Sequence, residues 1–357
     1  MPSASPARAA IHAVATAYPP HVLRQDDARR VAGRVFGTDP ALFERLAASY
    51  GNAGIETRHS CVPLDWYLRP HGWPERAQLF EAHAVALLTE AGAAVLDQAG
   101  VDPREVAAIV TVSSTGIVTP SLDALLIGPL GLSSGVQRLP VFGLGCAGGI
   151  LGLARAEAMA QANPGRWVLC LCVELCSLTF RPSDTRKANI IATTLFGDGA
   201  AAVLLRAGEG PKQDARAVLE ASGEHTWPAS REVMGWTIEE DSFGVVFSAE
   251  IPALIRAGLR IEADAFLARH ELTVADLDGF ILHPGGQKVI AALEEAFELP
   301  TGTLATEREV LKARGNMSAV TVLVVLEQTL AEERRGRFLM AALGPGFSAG
   351  FGLVRLL

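Results

Sequence analysis

Two stretches of one design limit what this chain can fold into: VFGLGCAGGILGLARAEAMA around Cys146 and RGNMSAVTVLVVLEQTLAEE around Asn316. Each is a glycine turn carrying one thiol or polar residue, followed by a helical run that stays apolar for several residues. Charges arrive later, at Arg155 and Glu157 in the first run and at Glu327 and Glu332 in the second. A helix that is apolar on every face over its opening turns belongs in the interior. Both runs lead into strand, loop and strand, so the two halves of the chain repeat one order of elements. Strands alternating with helices in this way predict a layered α/β architecture built from two pseudo-duplicated halves. Element ends from both halves then face one crevice, where such folds bind ligands.

The remaining elements fit that order. AIHAVATAYP reads as a strand closed by Pro19 and Pro20, and DDARRVAGRVFG and PALFERLAASYG as helices stopped by glycine. GIETRHSCVPLDWY, with Arg58 and His59, reads as an extended polar stretch, a solvated loop. ERAQLFEAHAVALLTEAGAAVLDQAG is a long amphipathic helix, and VAAIVTVSSTG and WVLCLCVELCSL are buried strands. The Gly-rich and charged GEGPKQDARA marks the boundary between halves, giving residues 1–212 and 213–357.

Composition closes off several functions. With 49% hydrophobic and 20% charged residues in 357, the chain has material for a large core. A net charge of −8 without a Lys/Arg block argues against nucleic acid or an anionic membrane as partner. The apolar run AVTVLVVL after Ser318 is too short to span a bilayer, and the N-terminus lacks a basic start and apolar core, so neither a membrane span nor a signal peptide is expected. Five cysteines, an odd number, point to a reducing cytoplasm rather than a disulfide framework. The C-x-C-x3-C run at Cys170, Cys172 and Cys176 has no histidine nearby, and its thiols are expected on different strand faces, so no metal site is expected.

A thiol at a helix N-terminus has its thiolate favoured by the dipole and by free backbone N–H groups. The glycines around Cys146 permit unusual dihedrals and let a bulky substrate approach the backbone. His283, ending the strand DLDGFILHPGG, presents an imidazole rigidly, and Asn316 presents an amide that does not titrate. Taken singly, each has a plainer explanation: a buried core thiol, a hydrogen-bonded core histidine, a helix cap. Together, each beside glycine and each at an element end, they read as one acyl-transfer site.

GCAGG, ILHPGGQKV, RGNMSAVTVLVVLE and LGPGFSAG, with LTFRPSDT and LFGDGAAAV between them, resemble the type III polyketide synthase (chalcone synthase-like) family of the thiolase superfamily. The motifs match in order and spacing from TRHSCVPLDWY to the last strand. The resemblance implies a thiolase-like fold layered αβαβα, with Cys146 in the N-terminal half and His283 and Asn316 in the C-terminal half. It implies a homodimeric cytoplasmic enzyme that uses acyl-CoA and malonyl-CoA as substrates and no further cofactor. Cys146, as a thiolate paired to protonated His283, would take the acyl starter as a thioester. His283 and Asn316 would then stabilise the enolate left when malonyl-CoA loses CO2.

Phe196 and Phe247 match family positions between the CoA tunnel and the reaction cavity. Ser114, Cys176, Thr179, Ala192, Ile238 and Ser318 fall at or near cavity-lining positions. Gly285 and Gly286 would let the CoA arm pass close to the backbone. SSTGIVTPS resembles the loop that crosses the dimer interface and would bring Thr119 near the partner's cavity. Arg45 lies near a basic position of the CoA entrance, but Asn52 stands where lysine is common, so an acyl carrier protein is an alternative starter donor. The small Cys176 and Ala192 favour a medium- or long-chain fatty acyl starter and an alkylpyrone or alkylresorcinol product. The alternatives are the single condensation of a ketoacyl synthase III and a non-catalytic thiolase-fold interaction protein.

Overall fold

Most strands of this chain are buried on both faces, and the segment Trp167–Leu175 shows why. Its Val168, Cys170 and Cys172 pack into one apolar cluster while Leu169, Leu171, Val173 and Leu175 pack into another. A strand covered by helices on both sides reads as an unbroken apolar run. Residues two apart share a face, so Cys170 and Cys172 point the same way, contrary to the expectation that the thiols diverge.

The computed structural model describes residues 8–37, 40–208 and 214–357, the side chains of 40–42, 45 and 46 excepted. The expected boundary at 212/213 and the side chain of Arg45 therefore lie outside the described residues. In chain order the elements are β1 (Ala9–Ala17), β2 (His21–Arg24), α1 (Gln25–Val35), α2 (Pro40–Gly51), β3 (Thr57–Ser60), α3 (Trp73–Gln98), β4 (Val106–Ser113), α4 (Leu122–Leu126), β5 (Gln137–Phe142), α5 (Gly148–Ala162) and β6 (Trp167–Leu175). They continue with α6 (Lys187–Leu195), β7 (Asp198–Ala207), β8 (Ala217–Thr226), β9 (Met234–Ile238), β10 (Phe243–Phe247), α7 (Ile251–Leu254) and, after a π-helical turn at Ile255–Leu259, α8 (Arg260–Ala268). The chain ends with β11 (Gly279–Leu282), α9 (Gln287–Ala296), α10 (Ala305–Arg314), α11 (Ala319–Ala331), β12 (Gly336–Gly344) and β13 (Ser348–Leu356).

Nine strands form one mixed sheet in the order β11-β12-β13-β8-β1-β7-β6-β4-β5. Outward from β1, the pairings are antiparallel to β7, antiparallel between β7 and β6, and parallel between β6 and β4. Outward from β8, they are antiparallel to β13, antiparallel between β13 and β12, and parallel between β12 and β11. The duplication expected from the two glycine-turn helices is thus present in the strand topology. Within the sheet, among the described residues, the halves pair where Ala9, Ala10 and Ile11 face Leu219, Val218 and Ala217.

Three apolar clusters fill the spaces between layers. The central one combines α5 (Ile150, Leu153, Ala156) and α11 (Val320, Val322–Leu326) with strands of both halves. The second holds α3 against the N-terminal half, and the third holds α8 and α9 against the C-terminal half. Each half of the nine-stranded sheet is therefore a layer of its own, with the pair α5 and α11 between the halves, α3 outside one and α8 and α9 outside the other, five layers in all. Among the described residues only α3 is long and apolar enough to cross a bilayer. Its Phe80, Ala84, Leu87, Leu88, Ala91 and Val95 are buried in the second cluster.

A second expectation fails. The stretch around Arg58 is not a solvated loop: β3 pairs with β2, and Arg58 is buried. Its Nη1 donates to the carbonyls of Thr193 and Phe196 at 2.7 and 2.8 Å. Alternation along β3 places Arg58 inward and leaves His59 half-buried, bonded to Pro19 O and Arg314.

Candidate active site

Cys146 sits in a single tight turn between β5 and α5, entered through Gly143 at φ 90° and Gly145 at φ 49°. A Cβ on Gly145 would lie 2.5 Å from Pro345 Cδ, so the C-terminal GPGF loop packs directly on this turn. The following glycines serve helix packing rather than substrate approach. A Cβ on Gly149 would stand 2.3 Å from the Ala319 carbonyl oxygen, and one on Gly148 would stand 2.9 Å from Val112. Small residues thus let α5 and α11 cross closely enough to put their leading residues side by side. The backbone N–H of Gly145 donates to Ser114 Oγ at 2.8 Å, so Ser114 supports the turn from behind β4.

Asn316 is held on both sides. Its N–H donates to Leu195 O and its carbonyl accepts from Gly197 N–H, which ties it to the chain on either side of Phe196. Asn316 Oδ1 accepts the Ser318 N–H at 2.8 Å, and the Cys146 thiol lies 3.9 Å from the same oxygen. Nδ2 donates to Gly285 O at 3.2 Å. An amide nitrogen has two protons, so the second remains for a ligand. Ser318, at φ 48°, turns the chain into α11 through a conformation rare for a side-chain-bearing residue. Strain of that kind concentrates at functional sites.

His283 follows β11 directly, its N–H bonded to Ala341 O and its carbonyl to Gly285 N–H. Both ring nitrogens are buried without a hydrogen-bond partner among the described residues. Cys146, His283, Asn316, Gly285 and Phe247 line one cavity. Cys146, Ser318, Phe196, Phe247, Met234 and Pro345 line an adjoining one. Phe196 and Phe247 meet edge to face at 6.4 Å. A third cavity lies behind Phe196 and is walled by Cys176, Thr179, Ala192 and the inner face of α1.

The three distant segments therefore converge, but their electrostatics differ from expectation. Burial pushes the Cys146 thiol up to about 12; the Ser318 side chain offsets part of this, by more than the nearby Glu174 carboxyl adds. Burial alone pushes the His283 imidazole down to about 3. Burial in this chamber disfavours both charged forms, which opposes the expected thiolate–imidazolium pair. Glu174, fully buried, accepts from Ser114 N–H and Thr115 Oγ1, and burial raises its carboxyl to about 7.

Other expected residues scatter around this centre. Gly286 precedes α9 with Leu195 as its neighbour, and Thr119 stands exposed on the loop after β4. Ile238 is 80% exposed at the end of β9 and does not line the chamber. Sequence reasoning missed Met234 and Trp236, which enter the wall from β9, and the α1 face formed by Ala28, Val31, Ala32 and Val35. The apolar spacing on α1 was visible, but not what it covers. Glu174, hidden between Cys172 and Cys176 in an apolar run, was the one signal of a buried carboxyl. Among the described residues no cluster of His, Cys, Asp and Glu could hold a metal ion.

Comparison with known proteins agrees with this geometry. The family described as "Chalcone and stilbene synthases, N-terminal domain" matches residues 2–210, and the corresponding C-terminal domain matches residues 219–354. A 1,3,6,8-tetrahydroxynaphthalene synthase of Streptomyces peucetius subsp. caesius is 39% identical, covering 97% of this chain and 92% of its own length. A putative chalcone synthase of Bacillus subtilis is 37% identical over 95% and 96%. The crystal structure of PKS-I from the brown alga Ectocarpus siliculosus superposes with a TM-score of 0.92 at 26% identity, covering 99% of this chain and 100% of that one. The chain thus belongs to the chalcone and stilbene synthase family and is a type III polyketide synthase, an acyltransferase on the thiolase-like fold.

Proposed function

We propose that this enzyme extends a medium- or long-chain fatty acyl starter with several malonyl-CoA units and closes the product to an alkylpyrone or alkylresorcinol. The observation that carries the reaction is the cavity shared by Cys146, His283 and Asn316, with one Asn316 N–H left free. His283 takes the thiol proton as Cys146 Sγ attacks the acyl-CoA, and returns it to the departing CoA sulfur. Malonyl-CoA then places its thioester oxygen toward Asn316 Nδ2–H and the His283 N–H. Loss of CO2 leaves an enolate whose charge these donors stabilise. The enolate carbon attacks the Cys146 thioester, and the sulfur leaves and regains a proton. Transfer of the lengthened chain back to Cys146 starts the next round.

The cavity behind Phe196 supports the fatty starter, because α1 gives it an apolar wall along Ala28, Val31, Ala32 and Val35. A homodimer fits the unpaired edge of β5, where Phe142 is 54% exposed, and Ile117, 55% exposed, on the loop after β4. An apolar sheet edge left open invites pairing. Five free, buried thiols suit a reducing cytoplasm. CoA serves as substrate carrier, with an acyl carrier protein as the alternative donor.

The 39% identity to a tetrahydroxynaphthalene synthase favours a second reading, an aromatic product assembled from malonyl units with no fatty chain. Incubating the protein with acyl-CoAs of graded length and labelled malonyl-CoA separates the two. Labelled products whose mass follows the added acyl-CoA are expected. One labelled product whose mass ignores the acyl-CoA would sink the fatty-starter reading in favour of the second.

A further inference from the structure

The ribbon of β9 and β10 stands outside the nine-stranded sheet. Two antiparallel strands alone are only marginally stable in water, yet these carry Met234 and Phe247 into the chamber walls at Cys146. The turn joining them shows what holds them. Arg181, its side chain 15% exposed, donates through Nε to Asp241 Oδ1 at 2.7 Å. Its Nη1 lies 4.0 Å from Glu239 Oε2 and 3.5 Å from Asp184 Oδ2. Arg186 grips Asp184 with both arms of its guanidinium, at 2.9 and 2.6 Å, and approaches Glu239 at 3.7 Å. On the opposite side Trp73 Nε1 donates to the Glu239 carbonyl at 2.9 Å, and its ring meets Phe243 edge-on at 4.9 Å.

Arg181 also belongs to the other walls. It follows the turn that carries Cys176 and Thr179, and its carbonyl accepts from Asn189 Nδ2 at 2.9 Å. Asn189 lies on α6, which presents Ala192 to the third cavity and ends at Phe196. One guanidinium thus joins the ribbon to the two segments that face it across the cavities.

Resting on the polyketide-forming activity proposed above, we propose that Arg181 is a positioning residue that limits product length by latching the β9–β10 turn. The latched ribbon keeps Phe247 close to Phe196. With the latch released, the ribbon swings outward and the chamber admits further extension units. Arg181→Gln and Asp241→Asn each remove the short ion pair, and Arg181→Lys keeps the charge without the fork.

Hydrogen exchange of residues 234–247, read by mass spectrometry on the free enzyme, is expected to quicken about fivefold in Arg181→Gln and in Asp241→Asn, with no further gain in the double variant and less in Arg181→Lys. Product masses from one fixed starter are expected to shift upward by one or more malonyl-derived units, while acylation of Cys146 stays as in the parent. Unchanged exchange in both single variants overturns the latch. Faster exchange with unchanged product masses overturns its role in product length. Should Arg181→Gln fail to fold, Asp241→Asn, in the surface turn, carries the test alone. A parent that makes no polyketide defeats the proposed activity, whereas the latch is still decided by exchange.

Discussion

Replacing Gly149 by alanine isolates the contact on which the whole site depends. The added Cβ would lie 2.3 Å from the Ala319 carbonyl oxygen and 2.7 Å from Val322 Cγ1, where ordinary contact begins at 3.4 Å. Both atoms belong to α11, and the oxygen is backbone, so the helix itself must retreat by about 1 Å, since close-packed interiors have no slack to absorb it. Overpacking of this kind costs about 1–3 kcal/mol. Alanine in place of a helical glycine returns about 1 kcal/mol, so the net loss of stability should be at most about 2 kcal/mol. Activity should suffer far more. Ala319 follows Ser318 and Asn316, and its retreat lengthens the 3.9 Å separation of Cys146 Sγ and Asn316 Oδ1. A misplacement of about 1 Å can cost about a hundredfold in rate. Thermal unfolding would give the first number, and malonyl-CoA decarboxylation and Cys146 acylation, measured separately, the second. Gly51→Ala is the control, because a Cβ there meets nothing within 4 Å. It should leave turnover unchanged. A Gly149→Ala protein as stable and as active as its parent would refute the claim that close helix approach is what demands glycine here.

Three further outcomes are expected. Because burial pushes the Cys146 thiol up to about 12, its alkylation by iodoacetamide should rise about tenfold per pH unit from pH 7 to 10. A plateau below pH 8 would reveal a preformed ion pair with His283. Burial raises the Glu174 carboxyl to about 7, so the folded state resists its ionisation. That penalty is absent below the carboxyl's ordinary value, grows as the unfolded chain ionises, and is complete above pH 7. Glu174→Gln should therefore be more stable than the parent at pH 8, by up to about 3 kcal/mol, and no more stable at pH 4; equal unfolding midpoints at both pH values would contradict the assignment. Ala192→Phe should fill the cavity behind Phe196 and shift starter preference toward shorter acyl-CoAs, measured by competition. An unaltered preference would remove that cavity from starter binding.

The layering and the candidate site were legible in the residues alone. Periodicity is a local property, so β1, β4, β6, α3 and α11 could be read from their own residues. The apolar openings of α5 and α11 placed both at the centre. Cys146, His283 and Asn316 were legible because each sits beside glycine at an element end, and the four motifs in register gave the family. The rest depends on groups far apart in the chain. Burial opposes ionisation of the Cys146 thiol, and no local pattern shows how deeply a side chain is covered. Arg58 read as surface until β3 turned it inward to the Phe196 carbonyl. The ribbon that walls the site and the α1 face behind Phe196 went unseen for the same reason. A cavity is the space between segments, and its shape is written in no one of them.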